Sequence, residues 1–137
     1  MSLRTDFYSR LSTHTGLTSL INKRMYLPKM VPNDVIWPFL TYSVAARERI
    51  YSHQGFTGTT KYRLRVRIFA TNIEGGDTSS AQVDDISVQV IDAMENWSTV
   101  NSKIRMCLHD GEEDLEEETE YEYDQLPIYF KASYEED

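Results

Sequence analysis

Three arginines in one short stretch are the residues of this sequence best placed to bind a partner. Arg63, Arg65 and Arg67 stand at every second position. The residues around and between them are apolar: Tyr62, Leu64, Val66 and Ile68. In a β-strand this pattern places the cations on one face and the apolar side chains on the other. Because a guanidinium group pairs with carboxylates and phosphates alike, the cationic face fits either a protein or a nucleic acid.

The cationic strand offers few aromatic side chains that could stack on bases. Sheets that bind RNA usually present aromatic residues among the cations, because stacking supplies affinity. Here only Phe69 follows the arginines on the same face, and the net charge of the chain is −8. The sequence therefore favours a solvated or protein-facing strand. A small nucleic-acid-binding module that uses residues 61–67 is the alternative.

A run of acidic residues is the second feature with chemical potential. Ten of the fifteen residues in 110–124 are Asp or Glu, and four of them are candidate contact residues: Glu112, Glu113, Glu116 and Glu117. Carboxylates bind Ca²⁺ or Mg²⁺, but the run lacks the alternating ligand spacing and the glycine of an EF-hand loop. A solvated loop or hairpin is favoured over a metal site. An electrostatic partner for the cationic strand of a neighbouring copy is the third reading.

Catalysis has little support in the sequence. His14, His53 and His109 are scattered, and no nucleophile elbow, zinc-protease or phosphate-loop motif occurs. The one cysteine, Cys107, excludes an internal disulfide and fits a reducing compartment. No apolar run reaches the roughly 18 residues of a membrane span, and the N-terminus does not look like a secretory signal. We therefore expect a non-enzymatic protein without a cofactor, made in the cytoplasm.

The charge of the chain is unevenly distributed along its 137 residues, a length that predicts a single domain over 1–137. Residues 110–137 contain thirteen acids and one base, a net charge of −12, whereas residues 1–109 carry +4. A mildly basic body is thus joined to a strongly acidic segment. Such asymmetry concerns partners rather than fold.

The periodicity of apolar residues predicts the elements that position these groups. A helix is expected over 3–22 with a break near Gly16, then a packed irregular segment containing three prolines. A strand over 39–51 and the cationic strand form a hairpin around the loop 52–60, which contains Gly55, Phe56 and Gly58. A second helix runs from 79 to about 97, with Val88 widening its apolar stripe.

Two further strands complete the predicted architecture. One, over 103–109, is expected to turn Ile104, Met106 and Leu108 inward. The last strand places five residues on one face: Leu126, Ile128, Phe130, Ala132 and Tyr134. The fold class is therefore α+β, an antiparallel sheet of about four strands with two main helices packed on one face.

The order of these segments resembles a known family. An N-terminal amphipathic helix is followed by RMYLPKMVPNDVIWPFLTYSV, the strand YRLRVRIFATN, the helix AQVDDISVQVIDAMENW and the closing strand YEYDQLPIYFKASY. In this order and spacing the chain resembles the tail-completion, tail-terminator or head–tail joining proteins of long-tailed bacteriophages and prophages. The resemblance spans nearly the whole chain.

The resemblance implies a structural virion protein of the tail end, assembled in the bacterial cytoplasm. Proteins of this kind form a ring, commonly a hexamer, that caps the tail tube, ends its polymerisation and joins it to the head connector. The implied partners are further copies of the chain, the tail-tube protein and the connector or stopper protein, with neither a membrane nor a specific nucleic-acid contact. No catalytic residue comes with the resemblance.

Two hypotheses connect this role to the residues. A closed ring joins two different patches on each subunit, which must be complementary. The three arginines are therefore expected to face the acidic segment 112–122, either of a neighbour or of their own subunit. The loop 52–60 is expected to project to the tail tube or the connector.

Overall fold

The computed structural model describes residues 3–71, 79–99, 101, 103–112, 116–118 and 123–135. Three helices are formed, α1 (Leu3–Thr13), α2 (Thr15–Ile21) and α3 (Ser79–Glu95), and a 3₁₀ turn spans Trp97–Thr99. The strands are β1 (Met25–Tyr26), β2 (Phe39–Ser52), β3 (Gly55–Thr71), β4 (Ile104–Glu112), β5 (Glu116–Glu118) and β6 (Tyr123–Glu135). The chain is α+β, as its periodicity predicts.

The sheet is larger and more mixed than the sequence indicates. Its strands are ordered β1-β2-β3-β6-β4, and β5 pairs with β6 along the same side as β4. The prediction of about four antiparallel strands was therefore incomplete, because β1 pairs with β2 in parallel. β1 has two residues and β5 has three, which is too short for an alternating apolar–polar pattern, so the sequence does not reveal these strands.

Three helices, rather than two, pack on one face of the sheet. The N-terminal helix is divided at His14, whose ring accepts a hydrogen bond of 3.2 Å from the Leu17 backbone N–H at Nδ1 and so caps α2. The His14 Nε2 atom lies 3.0 Å from the Asp92 carboxylate of α3. The break expected near Gly16 thus falls at His14, and the ring ties the two N-terminal helices to α3.

The core lies between these helices and one face of the sheet, which we call the inner face. Helix residues such as Phe7 and Val90 and strand residues such as Leu64 and Phe130 are fully buried there in one cluster. The prediction for the last strand is confirmed, since all five of its named residues are buried. Val88 does not widen the stripe of α3: its side chain is 61% exposed.

Two β-bulges decide which side chains reach the other, outer face. Val44 pairs with Leu64 but Ala46 pairs with Arg63, so one extra residue in β2 moves Ala46 to the cationic side. In β4 the same irregularity follows Ile104: Met106 pairs with Ser133 and Cys107 with Ala132. Cys107 is therefore buried, whereas Met106 and Leu108 are 40% and 52% exposed. The prediction that Met106 and Leu108 point inward was wrong because it assumed unbroken alternation.

Candidate docking surfaces

The three arginines lie on the outer face of β3, and their rows continue across the sheet. Cross-strand partners share a face, and Arg63 pairs with Lys131 of β6, Arg65 with Tyr129 and Arg67 with Pro127. An aromatic residue that the sequence left unassigned therefore lies among the cations. The alternation within β6 contained this signal, but only the pairing of β6 with β3 shows that Tyr129 belongs to this surface.

Arg63 is engaged within its own chain. Its Nε atom lies 3.4 Å from Asp110 Oδ2, and Lys131 Nζ lies 3.4 Å from Asp110 Oδ1. The Arg63 guanidinium also lies over the Tyr129 ring, 4.1 Å from its centroid. Arg63 thus contacts Asp110, the first residue of the acidic run 110–124, within the same subunit.

A cleft of about 400 Å³ opens beside the other two arginines. It lies between the outer face and the loop that joins β1 to β2. Its lining residues are Pro28, Val31, Trp37, Phe39, Thr41, Arg65, Arg67 and Phe69. Most of this wall is apolar, and its floor contains the Phe39 and Phe69 rings, which stack 4.9 Å apart at an interplanar angle of 12°.

The two arginines of the cleft differ from Arg63 in their pairing. Among the residues whose side chains the structure describes, a set that does not include Glu112, Glu116, Glu117, Glu118 or Asp124, no carboxylate lies within 4.0 Å of either Arg65 or Arg67. The Arg67 Nε atom is buried, and no described residue accepts a hydrogen bond from it. A buried N–H of a charged group without an acceptor costs free energy. The cleft therefore presents unused hydrogen-bonding capacity suited to an anion.

An apolar patch lies at one edge of the sheet, which ends in β4 and β5. It consists of Met106 and Leu108, and we call it the edge patch. An edge strand presents unpaired backbone groups to any chain that approaches it. The bulge after Ile104 therefore places apolar side chains next to an open edge.

A second apolar patch lies beside the opposite edge, which ends in β1. It consists of three residues of the loop between β1 and β2, Leu27, Met30 and Ile36, with exposures of 39%, 69% and 67%. We call it the loop patch. Several exposed apolar side chains within one loop often mark an interaction surface. The two patches differ in residues and position, so they form two distinct surfaces on one subunit.

The hairpin of β2 and β3 extends beyond the rest of the sheet. The last described pairing between β3 and β6 joins Thr59 to Glu135, and residues 50–58 continue past it. We call this segment the arm. The predicted loop 52–60 is therefore mostly strand: only residues 53 and 54 form the turn, and Ser52 pairs with Gly55. Gly55 and Gly58 have φ of +111° and +89°, values that favour glycine.

The remaining predicted contact residues are distributed as follows. The backbone of Phe56 lies in the arm, paired with Tyr51. Glu112 ends β4, and Glu116 and Glu117 lie in β5, paired with Gln125 and Asp124. Glu113 lies outside the described residues. The structure thus brings the arginines and the start of the acidic run 110–124 to one sheet, and the arm extends past the last β3–β6 pair of that sheet.

The described residues contain no cluster of three or more His, Cys, Asp or Glu side chains that could bind a metal ion. Cys107 lies on the inner face, where burial first and the Glu95 carboxylate second raise the pKa of its thiol to about 12. A thiol with so high a pKa is a poor nucleophile near neutral pH. No helix in the described part of the chain is long and apolar enough to cross a membrane.

The geometry of the outer face suits a protein partner better than a nucleic acid. Asp110 lies between two of its cations and neutralises part of their charge. A phosphate backbone would meet this carboxylate, and repulsion would offset the attraction of the cations. The cleft, in contrast, combines apolar walls with two guanidinium groups, an arrangement that matches an acidic and aromatic protein segment.

Comparison with known proteins identifies the fold but no family. No family model matches the sequence, and no curated protein matches it. Among solved structures, the chain is similar to one in the "Virion of native gene transfer agent (GTA) particle", with a TM-score of 0.71 and 13% sequence identity. The match covers 98% of this chain and 95% of that chain. At this identity the likeness shows a shared fold over essentially the full length of both.

Proposed function

We propose that the protein is a structural component of a phage-like virion and closes the end of the tail tube as a ring. The ring stops tube growth and gives the head connector a surface to bind. The observation that carries the proposal is the shared fold, which extends over 98% of this chain and 95% of the chain from the gene transfer agent virion. The resemblance of the sequence to tail-completion proteins supplies the position at the tail end, and such proteins assemble in the host cytoplasm before they join the virion.

The positions of the two apolar patches support a ring. A ring of identical subunits uses head-to-tail contacts, in which one patch of each subunit meets a different patch of the next. The edge patch and the loop patch lie beside opposite edges of one sheet. Contact between the edge patch of one subunit and the loop patch of the next would remove both from water and leave the same two patches free at the ends of the growing chain of subunits.

The arm supports a separate function, that of contacting the tail tube or the connector. A two-stranded ribbon without a helix above it adds little to the core. Tyr51 of the arm is 62% exposed, and its ring lies 5.8 Å from the Arg49 guanidinium carbon. An exposed tyrosine beside an arginine is typical of residues that dominate protein–protein binding energy.

The test of the ring is the mass of the protein with and without tail-tube protein, measured by native mass spectrometry. We expect a closed oligomer on tube ends, about 96 kDa for six chains of 16.0 kDa. Tubes should also stop growing when the protein is added. Tubes that keep growing, and a protein that binds neither them nor itself, would exclude the proposal.

The matched variants separate the ring contact from general surface effects. Met106→Lys/Leu108→Lys changes the edge patch and should prevent the ring. Val88→Lys changes an apolar residue of α3 that is even more exposed, on the helix-covered side of the molecule, and should leave the ring intact. The free energy of unfolding of both variants should lie within about 0.5 kcal/mol of that of the unchanged protein, because the altered side chains are exposed.

The arm is tested by removing it without disturbing the sheet. Because Arg49 pairs with Thr60, residues 50–59 can be replaced by Asn-Gly, which forms a two-residue hairpin turn. The shortened protein should fold and form the ring, but tails should no longer join heads. The control His53→Ala/Gln54→Ala keeps the length of the arm and should join normally. A shortened protein that joins tails to heads as well as the control would exclude this function of the arm.

A further inference from the structure

The cleft beside Arg65 and Arg67 combines apolar walls with two cations in a small volume. It measures about 400 Å³, and its walls include Pro28, Trp37 and Phe69. A depression of this size, with apolar walls and a few polar groups, is typical of a ligand site. No residue of the edge patch or the loop patch lines it. The cleft is therefore a separate surface from the proposed ring contact.

The two arginines are placed to bind one carboxylate together. They stand two positions apart on the same face of β3, so their Cα atoms are about 7 Å apart and their side chains extend from one row. Among the residues whose side chains the structure describes, no carboxylate lies within 4.0 Å of either. No described residue accepts a hydrogen bond from the buried Arg67 Nε atom. A carboxylate in the cleft would supply an acceptor for charge-assisted hydrogen bonds.

A ligand that fits both features brings a carboxylate and an apolar group into the cleft side by side. In an extended internal segment, successive side chains point to opposite faces, so an acidic residue and its apolar neighbour do not enter the same cleft. A C-terminal residue, in contrast, carries both groups on one Cα atom. The cleft is also open to solvent on one side. A free small acid would keep much of its surface in water there, whereas a polypeptide continues out of the cleft into further contacts.

We propose that the cleft binds the C-terminus of another protein, one whose last residue is aromatic or aliphatic. The side chain of that residue lies against Trp37 and Phe69, and its α-carboxylate accepts hydrogen bonds from the two arginines of the cleft. This binding site goes beyond the ring and does not depend on it. It also divides the arginines of β3, because Arg63 is held by Asp110 of its own chain whereas the other two serve a partner.

The carboxylate is tested with two peptides that differ in one group. A fluorescein-labelled Gly-Ser-Gly-Leu-Phe peptide with a free C-terminus is titrated with the full-length protein, and its C-terminally amidated form is the comparison. Fluorescence anisotropy should show saturable binding of the free peptide. The amide should bind at least about tenfold more weakly, because charge-assisted hydrogen bonds are lost. Equal affinities of the two peptides for the unchanged protein would overturn the proposal.

The arginines are tested with the same pair of peptides. Arg65→Gln/Arg67→Gln should bind the free peptide about tenfold or more weakly than the unchanged protein does, and should bind the free and amidated forms within about twofold of each other. Lys61→Gln/Lys131→Gln removes the same charge from residues that do not line the cleft. This control should keep the affinity within about twofold, since exposed charges outside a contact contribute little. If it loses as much affinity as the arginine variant, the attraction is general electrostatics and the proposal is overturned.

Two further ligands separate a C-terminus from other sources of the same groups. The amidated peptide Gly-Ser-Gly-Glu-Phe keeps a carboxylate beside the ring but has no free terminus, and N-acetylphenylalanine keeps the terminus without the preceding chain. Both should compete with the labelled peptide at least about tenfold more weakly than the unlabelled free peptide does. Equal competition by the first would assign the cleft to an internal acidic residue, and equal competition by the second would assign it to a small acid. Either result would overturn the proposal.

The acidic run 110–124 of the same chain is the nearest competitor for the two arginines. Thr71 of β3 pairs with Tyr123, so the end of the run lies beside the strand that carries them. An absence of saturable binding at millimolar protein would mean that the arginines are already engaged, and it would overturn the proposal. The expected result is saturable binding that depends on both the free terminus of the peptide and the two arginines of the cleft.

Discussion

Adjacent residues of β6 encounter very different surroundings on the two faces of the sheet. On the inner face, Ile128 and Phe130 are fully buried in the cluster that the helices cover. On the outer face, Tyr129 lies under the Arg63 guanidinium and Lys131 reaches Asp110. The inner face is completed by apolar contacts within the chain, whereas the cleft on the outer face keeps two arginines that no described carboxylate pairs with. One face therefore supplies stability, and the other is available for recognition.

The largest difference between the two faces is expected in the reaction rates of neighbouring thiols on β4. The Cys107 thiol, with its pKa raised to about 12 by burial and secondarily by Glu95, should react with an aromatic disulfide reagent about a thousandfold more slowly than a cysteine at position 108. The comparison uses Leu108→Cys at pH 8, and 4 M urea serves to expose both thiols. Two equal rates in the folded protein would contradict the assignment of Cys107 to the inner face.

The raised pKa of the Cys107 thiol also predicts how the free energy of unfolding depends on pH. In the unfolded chain it ionises near pH ~8.5, and in the folded chain near about 12. Its contribution to the free energy of unfolding is therefore complete below about pH 8.5 and is lost as the pH rises toward 12. A Cys107→Ala variant should lose less stability than the unchanged protein between pH 8 and 10. Parallel pH profiles of the two would argue against burial as the cause.

The next largest difference is expected in stability, when adjacent β6 side chains on the two faces are truncated to alanine. Phe130→Ala removes a fully buried ring and should lower the free energy of unfolding by about 3–5 kcal/mol. Tyr129→Ala removes an outer-face ring that contacts Arg63 and should cost about 1 kcal/mol or less. Urea unfolding measures both. Similar losses for the two variants would mean that the outer face contributes to stability as much as the core does.

The smallest effect is expected from the ion pair between Arg63 and Asp110. Its Nε–Oδ2 distance is 3.4 Å and the Arg63 side chain is 48% exposed, so a double-mutant cycle should give a coupling of roughly 0.2–1 kcal/mol. The four proteins are the unchanged chain, Arg63→Ala, Asp110→Ala and the double variant. The coupling should fall further in 0.5 M salt. A coupling above about 2 kcal/mol would show that this contact makes a large contribution to the stability of the fold, contrary to the prediction.

Much of the inner face could be predicted from the sequence because its signals are regular. The alternation from Leu126 to Tyr134 and the helical period of α3 each continue for several turns or pairs, so a single apolar face is specified repeatedly. The position of the break in the N-terminal helix was nearly predicted. Its cause, a histidine that caps α2 and contacts α3, depends on an element 78 residues away in the chain and leaves no local pattern.

The outer face could be predicted only in part because its arrangement depends on irregularities. Met106, Cys107 and Leu108 are all apolar, so this stretch has no alternation of apolar and polar residues. The sequence therefore does not show that the bulge turns Cys107 inward. The cleft depends on how the proline-containing loop lies across Phe39 and Phe69, which is a tertiary contact. The sequence identified the three arginines. That Arg63 contacts Asp110 while Arg65 and Arg67 line the cleft could be seen only from the pairing of β3, β6 and β4.

The most direct test of the central claim, a head-to-tail ring built through opposite sheet edges, is the mixture of two defective variants. Met106→Lys/Leu108→Lys has no edge patch, and Met30→Lys/Ile36→Lys has no complete loop patch. Native mass spectrometry, under conditions in which the unchanged protein closes its ring on tail-tube ends, should show each variant alone as a 16.0 kDa monomer. Their mixture should form a one-to-one dimer and nothing larger, because one intact contact remains between them. A mixture that stays monomeric, or either variant closing a ring alone, would contradict the account.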